Sequence, residues 1–103
     1  MNKNNEICHC QICGLIYEEI DLGEICVCCG AEFGYDDEEG ACGKTIDVYR
    51  QKWFDTGAAL HYAKSELIPQ NWSLNTLKIQ LANIGFNLTD EMIAEIEKNS
   101  RKR

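Results

Sequence analysis

Apolar and polar positions follow two different rules along this chain. Up to about residue 43 the apolar residues come in short clusters separated by polar turns, and from Thr45 onward they recur at helical spacing. In the first stretch Leu15-Ile16-Tyr17 and Ala31-Glu32-Phe33 are short strand candidates, with a polar loop containing Gly23 at 18–24. In the second, Ile46, Tyr49, Trp53 and Phe54 share one helical stripe behind Thr45 as a cap, and Gly57 is placed to stop the helix. Residues 58–67 fit a second short helix ended by Pro69. Ser73 caps a clearer helix carrying Leu74, Leu77, Leu81 and Ile84, with Gly85 as its left-handed terminator. A last helix starts at Thr89, where Leu88 and Ile93 have the spacing of a hydrophobic staple. It continues through Met92 and Ile96 into the basic tail Lys98, Arg101, Lys102 and Arg103.

Chemistry is concentrated in the first stretch. Cys10-Gln-Ile-Cys13-Gly14 and Cys26-Val-Cys-Cys29-Gly30 have the spacing C-x2-C-x12-C-x2-C, which reads as a four-thiolate metal site. In each half a tight turn brings two sulfurs toward one ion, and the glycine takes torsions that a side chain would strain. The glycines after Cys13 and Cys29 select Cys10, Cys13, Cys26 and Cys29 as ligands and leave Cys8, Cys28 and Cys42 as spares. A site of three cysteines and His9 is the alternative. Zinc is the expected metal and iron its competitor, with Tyr17 and Phe33 as aromatic lids. The first 43 residues hold few large aliphatic side chains, so their fold should depend on the metal. The expected fold class is small α+β: a zinc ribbon or rubredoxin-like knuckle module at 7–35, an acidic linker at 36–44, a helical region at 45–99 with three to four short helices, and a basic tail at 100–103.

Charge sharpens the division. The 103 residues carry a formal net charge of −7, but residues 1–43 hold ten acids and a single lysine, whereas 44–103 hold nine bases and seven acids. An acidic module repels phosphate backbones, which argues against nucleic-acid binding and for a basic protein partner. The candidate partner-binding residues are Asp36, Asp37, Glu38 and Glu39, with Glu18, Glu19 and Glu24 of the ribbon loop. Asp36 to Glu39 lack the alternating ligands of an EF-hand, so calcium is not indicated. The start of the chain has no apolar run of the roughly seven residues that a secretory signal needs, and no segment approaches membrane-spanning length, so a cytoplasmic protein with no membrane association is expected.

A closed four-thiolate site leaves no position for water or substrate. His61 has no sequence-assignable partner. No phosphate loop, serine elbow or H-E-x-x-H helix is present. The chain therefore reads as a binding protein and not an enzyme.

Two resemblances extend this reading. Cys10-Gln-Ile-Cys-Gly-Leu-Ile-Tyr17 resembles the first knuckle of rubredoxin, and the twelve-residue gap is similar to that of the rubredoxin-like domain of rubrerythrin. This likeness implies one-electron transfer by iron as the alternative function. A longer stretch resembles a family of small, uncharacterised bacterial cysteine-rich proteins that join a zinc ribbon to a helical tail. Ile25-Cys-Val-Cys-Cys-Gly-Ala-Glu-Phe-Gly-Tyr-Asp-Asp37 is similar to that family's C-P-C-C-G-F-x-F-G-Y-D-D segment. Tyr49, Arg50, Trp53 and Gly57 match its helix, and Asn71-Trp72-Ser-Leu74 with Gln80-Leu81-Ala-Asn83-Ile84 matches its N-W-x-L…Q-L-x-N-I ending. Val27 departs from a proline and Ala31 from an aromatic, and residues 87–103 look like an added helix. The resemblance implies an immunity or inhibitor protein that binds and neutralises a bacterial toxin.

Overall fold

The computed structural model describes residues 8–36 and 45–101. Its amino-terminal part is two copies of one local structure. Gly14 N donates to Cys10 O at 2.8 Å and Cys10 N to Leu15 O at 3.0 Å; Gly30 N donates to Cys26 O at 2.9 Å and Cys26 N to Ala31 O at 2.8 Å. Gly14 and Gly30 both sit at left-handed φ, 82° and 81°, where a β-carbon would clash with its own backbone. Strand β1 (Cys8–His9) pairs antiparallel with β2 (Ile16–Tyr17) and closes the first turn, with Cys8 opposite Tyr17.

The second turn is closed by a single bridge, Ile25 to Glu32. The strand expected at 31–33 stops there because the chain curls at once: Tyr35 N and Asp36 N both donate to Glu32 O, at 3.1 and 2.9 Å. The strand expected at 15–17 forms as β2; its partner at Cys8–His9 has no alternating pattern to announce it.

Three helices follow: α1 (Thr45–Asp55), α2 (Leu74–Ala82) and α3 (Asp90–Arg101). Helices α1 and α2 end in the same way. Ala58 N reaches Trp53 O while Gly57 N reaches Phe54 O, both at 2.9 Å; Phe86 N reaches Leu81 O at 2.9 Å while Gly85 N reaches Ala82 O at 3.1 Å. With Gly57 and Gly85 at φ 88° and 80°, these are Schellman caps that satisfy the last carbonyls of each helix. Thr89 caps α3 by accepting Met92 N at 3.2 Å, and Ser73 N at the start of α2 donates to Thr76 Oγ1 at 3.2 Å.

Residues 58–67 are turns and not the expected helix, leaving three helices among the described residues. Ala58 follows Gly57 into the left-handed region at φ 53°. The amide groups of His61 and Tyr62 then donate to Cys28 O and Val27 O at 3.0 and 2.8 Å. Donors that a helix would use internally are spent on the second cysteine turn, and the local apolar spacing loses to that tertiary demand.

Buried residues from both parts form one cluster. Ile12, Leu15, Ala31, Phe33 and the cysteines join Trp53, Phe54, Leu77, Leu81, Leu88 and Ile96, with Tyr49, Trp72, Leu74 and Ile84 packed against them. The helical region therefore shares its core with the cysteine turns. Helix α3 braces α1, with Asn99 Nδ2 donating to Phe54 O at 3.1 Å and Ser100 lying directly against Gly57. No helix among the described residues is long and apolar enough to cross a membrane.

Leu81 is fully buried in this shared cluster. Leu81→Ala should cost about 2–5 kcal/mol in urea unfolding, as for other large-to-small core changes. Two glycines separate torsion from space. Gly23→Ala, where nothing lies within 4 Å of the new β-carbon, should cost only the torsional penalty of about 1–2 kcal/mol. Gly14→Ala should cost clearly more, because its β-carbon would collide with the Gln80 carbonyl of α2.

Candidate metal centre

The two glycine turns fold toward each other so that the sulfurs of Cys10, Cys13, Cys26 and Cys29 all lie within 4.8 Å of one another. Cys10 and Cys29 are 3.7 Å apart at sulfur, and so are Cys13 and Cys26. A tetrahedral ion with bonds of about 2.3 Å to sulfur needs edges of roughly 3.8 Å, so the donor set has the size and chemistry of a four-thiolate metal site. All four cysteines are buried. Four cysteines at this separation could hold a metal ion.

The remaining candidates fall outside this group. His9 is partly exposed on β1. Cys8 opposite Tyr17 is likewise partly exposed. Cys28 is buried beside the four, and its Sγ accepts from Gln80 Nε2 at 3.6 Å. Cys42 lies outside the described residues.

Tyr17 and Phe33 close one side of the cluster, edge to face at 5.3 Å. Tyr17 does more than cover it. Its hydroxyl donates to Cys26 Sγ at 3.3 Å and accepts Val27 N at 3.1 Å, so the ring is fixed to the second turn by both ends of one oxygen. Burial, and next the Cys26 sulfur, pushes the Tyr17 phenol far above its ordinary range.

Crowded thiols cannot all ionise alone. Hydrogen bonds from Cys10 and the other neighbouring thiols hold Cys26 far below the usual thiol range, while burial raises Cys13 and the Cys10 sulfur raises Cys29. The cluster can carry some negative charge unaided, and a divalent cation is what would allow all four to ionise.

Around the sulfurs, the carbonyls of 11–14 and of 27–29 find donors from the rest of the chain. In the first turn Arg50 of α1 donates from Nη2 to Gln11 O at 2.8 Å and from Nε to Ile12 O at 2.7 Å. Gln80 Nε2 of α2 reaches Cys13 O at 3.2 Å, and Asn83 Nδ2 just beyond it reaches Gly14 O at 3.3 Å. In the second turn the Val27 and Cys28 carbonyls take the Tyr62 and His61 amides, and Tyr49 Oη donates to Cys29 O at 3.3 Å. The clamp is itself braced. Trp72 Nε1 donates to Gln80 Oε1 at 2.8 Å, and the Arg50 guanidinium stacks 4.6 Å over the Phe86 ring with Asp47 at 3.3 Å on its outer side.

Arg50 and Gln80 are the buried polar residues of the described chain. Both were readable as anomalies: Arg50 lies on the Ile46, Tyr49, Trp53 stripe, and Gln80 lies on the stripe of Leu77 and Ile84. A polar side chain on a core-facing stripe must find a partner, and here the partners are the turn carbonyls.

Of the acidic residues, Glu18, Glu19 and Glu24 are exposed, and Asp36 is partly buried with its carboxylate accepting Glu32 N at 2.9 Å. Asp37, Glu38 and Glu39 lie outside the described residues.

The chain matches no family model, no curated protein and no solved structure.

Serine at Cys10, Cys13, Cys26 or Cys29 should abolish stoichiometric metal binding, measured by elemental analysis of purified protein, whereas Cys28→Ser should leave one ion per chain. Gln80→Leu keeps all four sulfurs but removes a donor from Cys13 O, and it should weaken metal affinity about 10–100-fold. Metal entry must expel the protons that Cys13 and Cys29 hold at neutral pH, so affinity rises with pH. Acidification should release the ion to a chromophoric chelator.

Proposed function

We propose that this chain is a non-catalytic zinc protein, a zinc ribbon braced by helices, whose acidic amino-terminal module binds a basic protein partner. Its concrete biological form in this reading is an immunity or inhibitor protein that neutralises a bacterial toxin. The observation that carries the proposal is the closed set of four buried sulfurs. With all four on one tetrahedral ion no coordination position is left for water or substrate, so the ion serves the fold. Zinc suits that role because it has no redox chemistry of its own, and Val27 stands where a rubredoxin-type second knuckle carries proline. Partner binding is supported by charge. Residues 8–36 contain six acids and no lysine or arginine, a distribution that would attract a basic surface and speed its approach.

Iron in the same four sulfurs is the second reading, favoured by the rubredoxin-like first knuckle. Colour separates the two: ferric tetrathiolate protein is red, whereas the zinc protein is colourless and gives one zinc per chain. For the partner, the first protein to test is the product of the adjacent gene. Association should slow as salt is raised, and changing Asp36, Asp37, Glu38 and Glu39 together to their amides should slow it further and flatten the salt dependence with zinc content unchanged. Duplex DNA and heparin should not bind at physiological salt. Equal association rates for parent and amide variant at low salt would contradict the acidic-surface reading.

A further inference from the structure

The amino-terminal module leaves four large apolar side chains in water, Ile16, Leu22, Ile25 and Tyr35, and two of them stand out. Leu22 is 82% exposed and Tyr35 is 71% exposed, while Phe33 is buried. They belong to one tip. Gly23 N donates to Phe33 O and Phe33 N to Glu24 O, both at 2.8 Å, tying the loop of Leu22 to the turn of Tyr35. Gly34 bends that turn at φ 87°, and a β-carbon there would sit 2.6 Å from Leu22 Cδ2. Leu22 thus lies against the Gly34 backbone, one residue before Tyr35 in the chain.

Singly exposed apolar residues are ordinary on protein surfaces. A leucine and a tyrosine carried on one hydrogen-bonded tip are presented on a preorganised backbone, since little loop entropy remains to be lost on contact. The surroundings state what could cover it. Glu18, Glu19, Asp21 and Glu24 precede or flank Leu22, Glu32 and Asp36 flank Tyr35, and no lysine or arginine occurs anywhere in 8–36.

Resting on the partner-binding reading above, we propose that Leu22 and Tyr35 are the anchor of that interface, and that the partner is a protein presenting an apolar pocket rimmed by lysine or arginine. The acids steer and orient; the leucine and tyrosine hold. Such a division puts the charge in the association rate and the apolar pair in the dissociation rate. Anionic membranes are repelled by the same acids, as are nucleic acids.

Two synthetic peptides of equal positive charge test this: an amphipathic lysine–leucine helix and an oligolysine. The full-length metal-loaded protein should bind the amphipathic peptide about tenfold more tightly than oligolysine. Leu22→Ser with Tyr35→Ser should remove that advantage, mainly through faster dissociation, with metal content and helical circular dichroism unchanged. Amides at Glu18, Glu19 and Glu24 should weaken both peptides and flatten their salt dependence.

Equal binding of the two peptides, or no effect of the serine pair, would overturn the anchor and leave the acidic reading standing. Binding of neither peptide would overturn both. Self-association of the protein abolished by the serine pair would give this face to a second copy and overturn the proposal, as would binding to phosphatidylserine vesicles in preference to the amphipathic peptide.

Discussion

The structure depends on finding donors for the carbonyl groups of two tight cysteine turns. A Cys-x-x-Cys-Gly turn points its sulfurs and its first amides inward, and it leaves consecutive carbonyls facing outward, where a neighbouring core would strand them at a cost of about 1–3 kcal/mol each. Here they are met from the helical region. Arg50, Gln80 and Asn83 take four in a row at 11–14, and Tyr49, His61 and Tyr62 take three in a row at 27–29. Helices α1 and α2 are positioned by these bonds as much as by their apolar faces. The second turn likewise dictates the irregular path after α1.

Arg50 shows how electrostatics and packing coincide. A buried guanidinium needs acceptors and a counter-charge, and its carboxylate partner, Asp47, sits largely in water. Two carbonyls and an aromatic face together with Asp47 make that burial tolerable. Lysine would supply neither the forked donors nor the planar stacking surface. The cysteine turns and the helices therefore stabilise each other through shared hydrogen bonds and a shared core.

Much of this was legible in the sequence, for identifiable reasons. The four sulfurs that converge are those marked by the glycines at 14 and 30, because the turn's torsional demand is local and leaves its trace beside each pair. Gly57, Gly85 and Thr89 marked helix ends for the same reason. The pairing of Cys8–His9 with Ile16–Tyr17 was not visible, since two residues carry no periodicity. Residues 58–67 misled because their spacing was helical while their amides were required by Cys28 and Val27, far away in sequence. The carbonyl clamp left only the faint trace of polar residues on apolar stripes, and its targets at 11–14 and 27–29 could not be read from α1 and α2 alone.

If the clamp makes one cooperative unit, the helices must share the fate of the metal. Hydrogen exchange of the α2 amides at Leu77 and Leu81, measured with the ion bound and after chelation, tests this most directly. The account predicts that their protection collapses together with that of Cys10 and Cys26 when the ion is removed. Retention of full protection in α2 while the cysteine turns exchange freely would contradict it.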